Sequence, residues 1–218
     1  ETSEKTVALT EQYDFLYGAV GVHPNEVGDM TAEDMDRLAG WSERSKIVAI
    51  GEIGLDYHYE EPSKEVQFRW FEAQMELARE KKLPIIVHSR DAAKDTVDIM
   101  KAVHAGDIGG VIHCYSYTKE LAREFLNMDY YFGIGGVLTF TNAKKLKEAV
   151  AYIPMEKLVL ETDCPYLAPV PNRGKRNSSL NIPYVVEVLA QIKGISPEEA
   201  ERITWENGCR LYRMQSER

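Results

Sequence analysis

Short apolar runs alternate along the chain with longer amphipathic stretches. The runs are rich in β-branched residues and lack a strict alternation of apolar and polar positions, which is typical of parallel strands buried on both faces. Six runs are predicted as strands: residues 15–22, 47–53, 84–88, 109–114, 130–136 and 158–162. Strands that alternate with helices in this way form βα units of one parallel sheet.

Three of the intervening stretches carry clear helix signals. Thr31 is placed to cap one helix, and residues 63–82 put their apolar side chains on one helical face at steps of three and four. Ser196, followed by proline and two glutamates, forms a capping box for a helix that runs to about Arg210. The first residues also have the pattern of the second half of a helix, so we expect the chain to start within a longer fold.

An alternating pattern of this kind folds either as an open doubly wound sheet or as a (β/α) barrel. The stretch 133–136 is glycine-rich, but no helix clearly follows it at the spacing of dinucleotide-binding folds. We therefore predict an α/β fold of the TIM (β/α) barrel type, with parallel strands ringed by helices. The length of 218 residues predicts one domain over residues 1–218, since barrels of roughly 200–250 residues often fold as one domain.

Charge and cysteine content narrow the functional classes. The chain has 26 Lys and Arg against 35 Asp and Glu, a formal net charge of −9, which argues against a generally basic nucleic-acid coat. A local basic patch on a nuclease stays compatible with this balance, because phosphate affinity depends on where the cations lie. The three cysteines stand in separate contexts and no stretch reaches the ~20 apolar residues of a membrane span. We expect a cytoplasmic protein without a membrane partner.

Ionisable residues follow strand after strand. Each of five apolar runs leads into a potential metal ligand: His23, Glu52, His88, His113 and Asp163. In a parallel barrel the carboxyl ends of all strands meet at one face, so these side chains are expected to converge. Each of them alone is more readily explained as a hydrogen-bonded structural residue. Together they predict a divalent-metal site, because several buried ionisable groups need a common partner.

A ligand set of imidazoles and carboxylates suits one or two ions of Mg²⁺, Mn²⁺ or Zn²⁺ rather than a thiolate-bound metal. Just after the last predicted strand, residues 171–177 hold three cations, Arg173, Lys175 and Arg176. Late βα loops of barrels often bind phosphate, and arginine forks match phosphate oxygens. A charge run of this kind is usually a solvated surface loop, but its position beside the proposed metal site makes a phosphate-binding loop about equally well supported.

Five motifs in this order resemble the TatD family of metal-dependent deoxyribonucleases, and their spacing agrees over nearly the whole chain. They are Gly21-Val22-His23-Pro24, Ala49-Ile50-Gly51-Glu52-Ile53-Gly54-Leu55-Asp56, Pro84-Ile85-Ile86-Val87-His88-Ser89-Arg90-Asp91-Ala92, His113-Cys114-Tyr115-Ser116 and Leu160-Glu161-Thr162-Asp163-Cys164-Pro165-Tyr166-Leu167, followed by Arg173-Gly174-Lys175-Arg176-Asn177.

The resemblance implies a TIM barrel of the amidohydrolase-like superfamily, a divalent-metal site and phosphodiester hydrolysis. It implies that the metal ligands are Glu52, His88, His113 and Asp163. It also places His23 near the substrate phosphate and the loop with Arg173 and Arg176 on the substrate strand. Many family members open with a strand that carries a His-x-His pair, and nothing here matches it. We therefore expect the first one or two barrel strands not to be represented in this chain.

The implied mechanism is hydrolysis of DNA by a metal-activated water. Asp163 would be both metal ligand and general base, and Glu52 would bridge two ions. His23 with Arg173 or Arg176 would hold the phosphate oxygens. No protein partner is implied. Two alternatives stay open: an amidohydrolase-like esterase, lactonase or amidase with the same metal site, and an inactive truncated barrel.

Overall fold

A computed structural model describes residues 2–214 and shows an α/β fold in which six strands alternate with eight helices. The chain divides into two compact units, Glu1–Val111 and Ile112–Arg218. Among the described residues, no helix is both long and apolar enough to cross a membrane. The prediction of one domain over residues 1–218 stays a prediction.

The first unit contains three strands that pair in parallel, each with its neighbour in sequence. Its elements are α1 (Thr2–Gln12), β1 (Gly18–Val20), α2 (Ala32–Ser42), β2 (Ile47–Asp56), α3 (Lys64–Lys81), β3 (Ile85–Arg90) and α4 (Ala93–Ala102). Its core side chains include Val20, Ile50, Ile53 and Val87, all of which are fully buried. The predicted first strand is too long, because Phe15 is 78% exposed and lies outside β1.

Local signals define two helices of the first unit as the sequence predicts. Thr31 closes a complete capping box on α2: its hydroxyl accepts the amide of Asp34, and its own amide donates to the Asp34 carboxylate. Helix α3 ends at Lys82, whose φ of 56° is left-handed. Trp70 and Leu77 lie on the buried face of α3. These two helices therefore pack as the apolar spacing indicates.

Strand β2 is longer and less regular than predicted. Its pairing with β3 shifts register between Ile50 and Ile53, and the strand continues to Asp56. Glu52 consequently lies inside β2 and not at its end. Gly54 has a φ of 147°, and a Cβ atom there would lie 1.9 Å from the main-chain oxygen of His88. Only glycine therefore permits the close approach of β2 and β3 beside His88.

Strand β4 (Gly110–Ile112) contains the boundary between the two units, which lies after Val111. The remaining elements of the second unit are α5 (Lys119–Asn127), β5 (Tyr131–Ile134), α6 (Lys144–Tyr152), β6 (Leu158–Leu160), α7 (Ile182–Lys193) and α8 (Pro197–Leu211). Strands β5 and β6 pair in parallel. Ser196 caps α8 by accepting the Glu199 amide at 3.2 Å, as predicted.

The core of the second unit is aromatic. The rings of Tyr115, Phe125 and Phe132 are fully buried and meet edge to face, with centroids 5.0–6.5 Å apart. This is the geometry that aromatic pairs prefer. Tyr115 belongs to the segment that follows β4, so its contacts with Phe125 and Phe132 fix the main chain close to His113.

Candidate metal centres

The first cluster consists of His23, Glu52, Asp56 and His88 in the first unit. Strand β2 carries both acids, β3 carries His88, and His23 follows shortly after β1. His88 lies between the acids: its Nδ1 is 2.8 Å from Glu52 Oε1, and its Nε2 is 3.0 Å from Asp56 Oδ2. The His23 and His88 ring centroids are 4.4 Å apart. The sequence-predicted residues His23, Glu52 and His88 are therefore neighbours in the structure.

Asp56 is the most enclosed member of the first cluster, with a side chain only 2% exposed. Its Oδ1 accepts the amide of His58 at 2.9 Å, and its Oδ2 accepts the side-chain amide of Asn25 at 3.3 Å. Gln67 holds the Asp56 main chain through both its amide and its carbonyl. Burial alone would raise the pKa of Asp56, but the hydrogen bonds from His58 and His88 lower it overall.

The surroundings of His23 favour its neutral form. Burial lowers its pKa below the ordinary histidine value, and the nearby His88 lowers it further. Its Nδ1 accepts the amide of Asn25 at 3.2 Å, so in the neutral ring the proton is on Nε2. A neutral histidine with its proton on Nε2 can donate a hydrogen bond to an anion, whereas binding a metal through Nε2 would require the proton to move to Nδ1.

The donor atoms of the first cluster fit a divalent cation. Ligand atoms from His23, Asp56 and His88 all lie within 4.8 Å of one another. Two carboxylates flank His88, and a divalent cation would offset their negative charge. Asn25 Oδ1 is also buried and has no hydrogen-bond partner among residues 2–214. Oxygen and imidazole donors together suit Mg²⁺, Mn²⁺ or Zn²⁺.

The second cluster consists of His113, Glu161 and Asp163 in the second unit. His113 follows β4, and both acids follow β6. The His113 Nδ1 lies 2.7 Å from Glu161 Oε2, and its Nε2 lies 3.4 Å from Asp163 Oδ1. Glu161 Oε2 also accepts the amide of Cys114 at 3.1 Å. The arrangement again places one imidazole between two carboxylates.

The Glu161 side chain occupies a space that two glycines leave open. A Cβ atom on Gly133 would lie 2.2 Å from Glu161 Oε2, and one on Gly135 would lie 3.4 Å from Oε1. Glu161 Oε1 is buried and has no hydrogen-bond partner within the described part of the chain. Burial, together with the negative charge of Glu161, raises the pKa of Tyr212 to about 12. The glycine-rich stretch 133–136 therefore accommodates a carboxylate.

The cationic loop, residues 171–177, follows the second cluster along the chain. Asn177 is 3% exposed, and its side-chain amide donates to the Thr162 carbonyl at 2.7 Å. The Arg173 guanidinium stacks over the Phe140 ring at 4.3 Å. Arg173, Lys175 and Arg176 are exposed and form no ion pair within the part of the chain that the structure describes. The loop thus offers three cationic groups to solvent from a main chain anchored beside Asp163.

The structure brings the predicted ligands together in pairs, Glu52 with His88 and His113 with Asp163. The expectation that all four share one centre stays a prediction. The sequence analysis missed Asp56 and Glu161, although both stand inside the quoted motifs. Asp56 stands four positions after Glu52 on β2, so the two-residue period of a strand is a signal for Asp56. Glu161 and Asp163 lie beyond the end of β6, so strand periodicity offers no signal for Glu161.

Fold and donor sets together define an α/β protein with the side chains of a metal-dependent hydrolase. The family described as TatD related DNase matches residues 1–213. The chain therefore belongs to the TatD family, and the family predicted from the motifs is confirmed.

Three similar proteins illustrate the relationship. One is "uncharacterized metal-dependent hydrolase YabD" from Bacillus subtilis (strain 168), 46% identical over 98% of this chain and 84% of its own length. Another, "uncharacterized metal-dependent hydrolase YcfH" from Escherichia coli (strain K12), is 39% identical over 96% of this chain and 78% of its own. The crystal structure of YJJV, a TatD homolog from Escherichia coli K12, has a TM-score of 0.91 at 30% identity, covering 97% of this chain and 82% of that one.

The structural likeness confirms the predicted α/β fold of the TIM barrel class. Both named relatives are metal-dependent hydrolases, in agreement with the coarser part of the functional prediction.

Proposed function

We propose that this chain is a divalent-metal-dependent hydrolase that cleaves phosphodiester bonds of DNA. The observation that carries the proposal is the repeated arrangement of one imidazole between two carboxylates, around His88 and around His113. Imidazole and carboxylate groups arranged in this way are the donor types that Mg²⁺, Mn²⁺ and Zn²⁺ sites use. The family description names a DNase, and that activity is proposed here for this chain.

The proposed ligands of one or two ions are Glu52, His88, His113 and Asp163. A bound divalent ion supplies charge stabilisation to a phosphoryl oxygen and lowers the pKa of a water. Asp163, the more exposed acid of the second cluster at 32% side-chain exposure, accepts the proton of the attacking water. Glu52, at 31%, is the corresponding open acid of the first cluster.

DNA as the substrate rests on the cationic loop. Its three cations form no ion pair within the described chain, although the chain carries a net charge of −9. Arg173 and Arg176 are proposed to bind the substrate phosphates, with His23 donating to a phosphate oxygen. An uncharged ester or amide would have no use for these cations, so the loop favours phosphodiesters over the esterase, lactonase or amidase alternative.

The first test is a nuclease assay with single- and double-stranded DNA in Mg²⁺, Mn²⁺ and Zn²⁺. We expect cleavage that depends on the metal, and a loss of about 10²–10⁴-fold in Asp163→Asn, since a general base contributes about that much. Equal rates for Asp163→Asn and the parent at saturating metal would overturn the assignment. Absence of both bound metal, by elemental analysis, and turnover would favour an inactive barrel.

The second test separates DNA from an uncharged ester. Neutralising Arg173, Lys175 and Arg176 together should weaken DNA binding and flatten its dependence on log salt by about 0.7 for each lost phosphate contact on single strands. The matched control neutralises Lys119, Lys144 and Lys145, which are exposed on α5 and α6 of the same unit. Hydrolysis of p-nitrophenyl acetate should be the same in both triple variants. If the loop variant instead binds DNA as the control does, the loop has no role in substrate binding.

A further inference from the structure

Glu161 makes two contacts through a single oxygen. Its Oε2 lies 2.7 Å from His113 Nδ1 and accepts the main-chain amide of Cys114 at 3.1 Å. The Cys114 amide is always a donor, so Oε2 is oriented as an acceptor toward both groups. An acceptor at 2.7 Å favours the tautomer in which His113 carries its proton on Nδ1.

This tautomer determines which nitrogen is available to a cation. With the proton on Nδ1, the lone pair of His113 is on Nε2, the atom that lies 3.4 Å from Asp163 Oδ1. The Glu161 side chain therefore contacts the protonated nitrogen, Nδ1, and the open acid Asp163 lies on the side of the metal-binding nitrogen, Nε2. A carboxylate that accepts the N–H of a metal-ligating histidine commonly fixes the orientation of the ring and makes it more basic.

The other oxygen of Glu161 shows that packing does not explain the residue. Oε1 is buried and has no hydrogen-bond partner in residues 2–214, and leaving a buried acceptor unpaired lowers the stability of the fold. Gly133 is also needed to make room for the carboxylate, because a Cβ atom there would be 2.2 Å from Oε2. A neutral apolar side chain would avoid the unpaired oxygen.

From these contacts we infer that Glu161 is a positioning residue, which holds His113 with its proton on Nδ1 and the lone pair of Nε2 directed to the metal ion. The inference rests on the proposed function, in which His113 is a metal ligand. Glu161 itself contacts neither the substrate nor the reacting atoms in this role. It acts only through the orientation and tautomer of the His113 ring.

The test compares Glu161→Ala and Glu161→Gln with the parent. In the metal-free proteins, ¹⁵N NMR of His113 should report the Nδ1–H tautomer in the parent and a shift toward Nε2–H in Glu161→Ala. Affinity for Zn²⁺, measured by competition with a chelating dye, should fall by about 10–100-fold in Glu161→Ala. Glu161→Gln keeps the volume and one acceptor oxygen, so it should retain the tautomer and lose less affinity.

Two controls make the outcomes distinct. Glu187→Ala removes an exposed carboxylate from α7 and should leave both the tautomer and the Zn²⁺ affinity as in the parent. An unchanged Zn²⁺ affinity or an unchanged tautomer in Glu161→Ala would overturn the inference. If Glu161→Ala fails to fold, Glu161→Gln is compared with a variant that lacks His113. Equal losses of Zn²⁺ affinity in those two variants would also overturn the inference. A parent that binds no Zn²⁺ would overturn the proposed function, whereas the tautomer in the metal-free protein would still report the effect of Glu161.

Discussion

The two clusters share one local plan but stabilise it differently. Each places an imidazole between an enclosed acid and a more open acid, with Asp56 and Glu52 around His88 and Glu161 and Asp163 around His113. Asp56 receives hydrogen bonds on both of its oxygens from the protein. Glu161 receives them on one oxygen only, and the other is buried without a partner among the described residues.

The orientation of the two rings also differs. The enclosed acid is at Nε2 of His88 but at Nδ1 of His113, and the open acid is 2.8 Å away in the first cluster and 3.4 Å away in the second. Protein hydrogen bonds therefore satisfy the enclosed acid of the first cluster, Asp56, more fully than that of the second, Glu161. The same set of donor groups can therefore be assembled on different main-chain geometries, provided that the imidazole keeps one acid on each side.

The largest loss of activity is expected when either imidazole, His88 or His113, is removed. His88→Ala and His113→Ala should each lower kcat/KM for DNA by on the order of 10³-fold, because charge stabilisation by a metal is worth several kcal/mol. Steady-state cleavage and the metal content of each variant measure this. His104→Asn, at an exposed histidine, is the control. If only one variant loses activity, the two clusters do not serve the same reaction.

Removing the metal with EDTA should lower the Tm of the parent more than the Tm of either histidine variant. An ion at about 100 times its Kd stabilises the fold by about 2.7 kcal/mol, so EDTA should lower the Tm of the parent by about 5–10 °C. His88→Ala and His113→Ala should each show a smaller shift by calorimetry. A Tm that does not respond to EDTA in the metal-loaded parent would contradict the binding of a structural or catalytic ion by either cluster.

Gly133→Ala sharpens the comparison because only the second cluster depends on this glycine. The new Cβ would lie 2.2 Å from Glu161 Oε2, so we expect the free energy of unfolding to fall by about 1–3 kcal/mol. Urea denaturation measures the change. Gly40→Ala in α2, where a Cβ meets nothing within 4 Å, should instead stabilise by about 0.5–1 kcal/mol. Equal stability of Gly133→Ala and the parent would show that the Glu161 side chain is free to move away.

The smallest effect is expected at a helix cap that does not contact either cluster. Thr31→Ala removes the capping box of α2 and should lower the free energy of unfolding by about 1 kcal/mol without changing DNA cleavage. Hydrogen bonds from Thr31 lower the pKa of Asp34. This contribution to stability is therefore present above the ordinary Asp pKa and lost as the pH falls through the lower folded-state value. Thermal melts from pH 7 to pH 3 should show the difference between the parent and Thr31→Ala narrowing toward the acid end without vanishing, because the residue 31 amide still donates to Asp34 in the variant and the Thr31 hydroxyl still accepts the Asp34 amide in the parent. A difference that widens as the pH falls would contradict this.

The sequence predicted the parts of the molecule that depend on local patterns. All six strands are present, and the caps at Thr31 and Ser196 form as expected. The predicted end of β2 at Ile53 was wrong, since the strand continues to Asp56. Its register shift, just before Gly54, depends on the close approach of β3, which no local pattern indicates. Strand position and motifs predicted His88 and Glu52 as metal ligands. They could not predict the unpaired oxygen of Glu161, since the surroundings of that side chain come from β5.

Gly133 and Glu161 also have a consequence for how this sequence can evolve. Because the glycine leaves the space that the carboxylate fills, neither position can vary independently of the other. A lineage that exchanged Glu161 for a short side chain would release Gly133 to become alanine, whereas alanine appearing first would be selected against. Covariation between these two positions in an alignment would therefore record the order in which such a cluster is gained or lost.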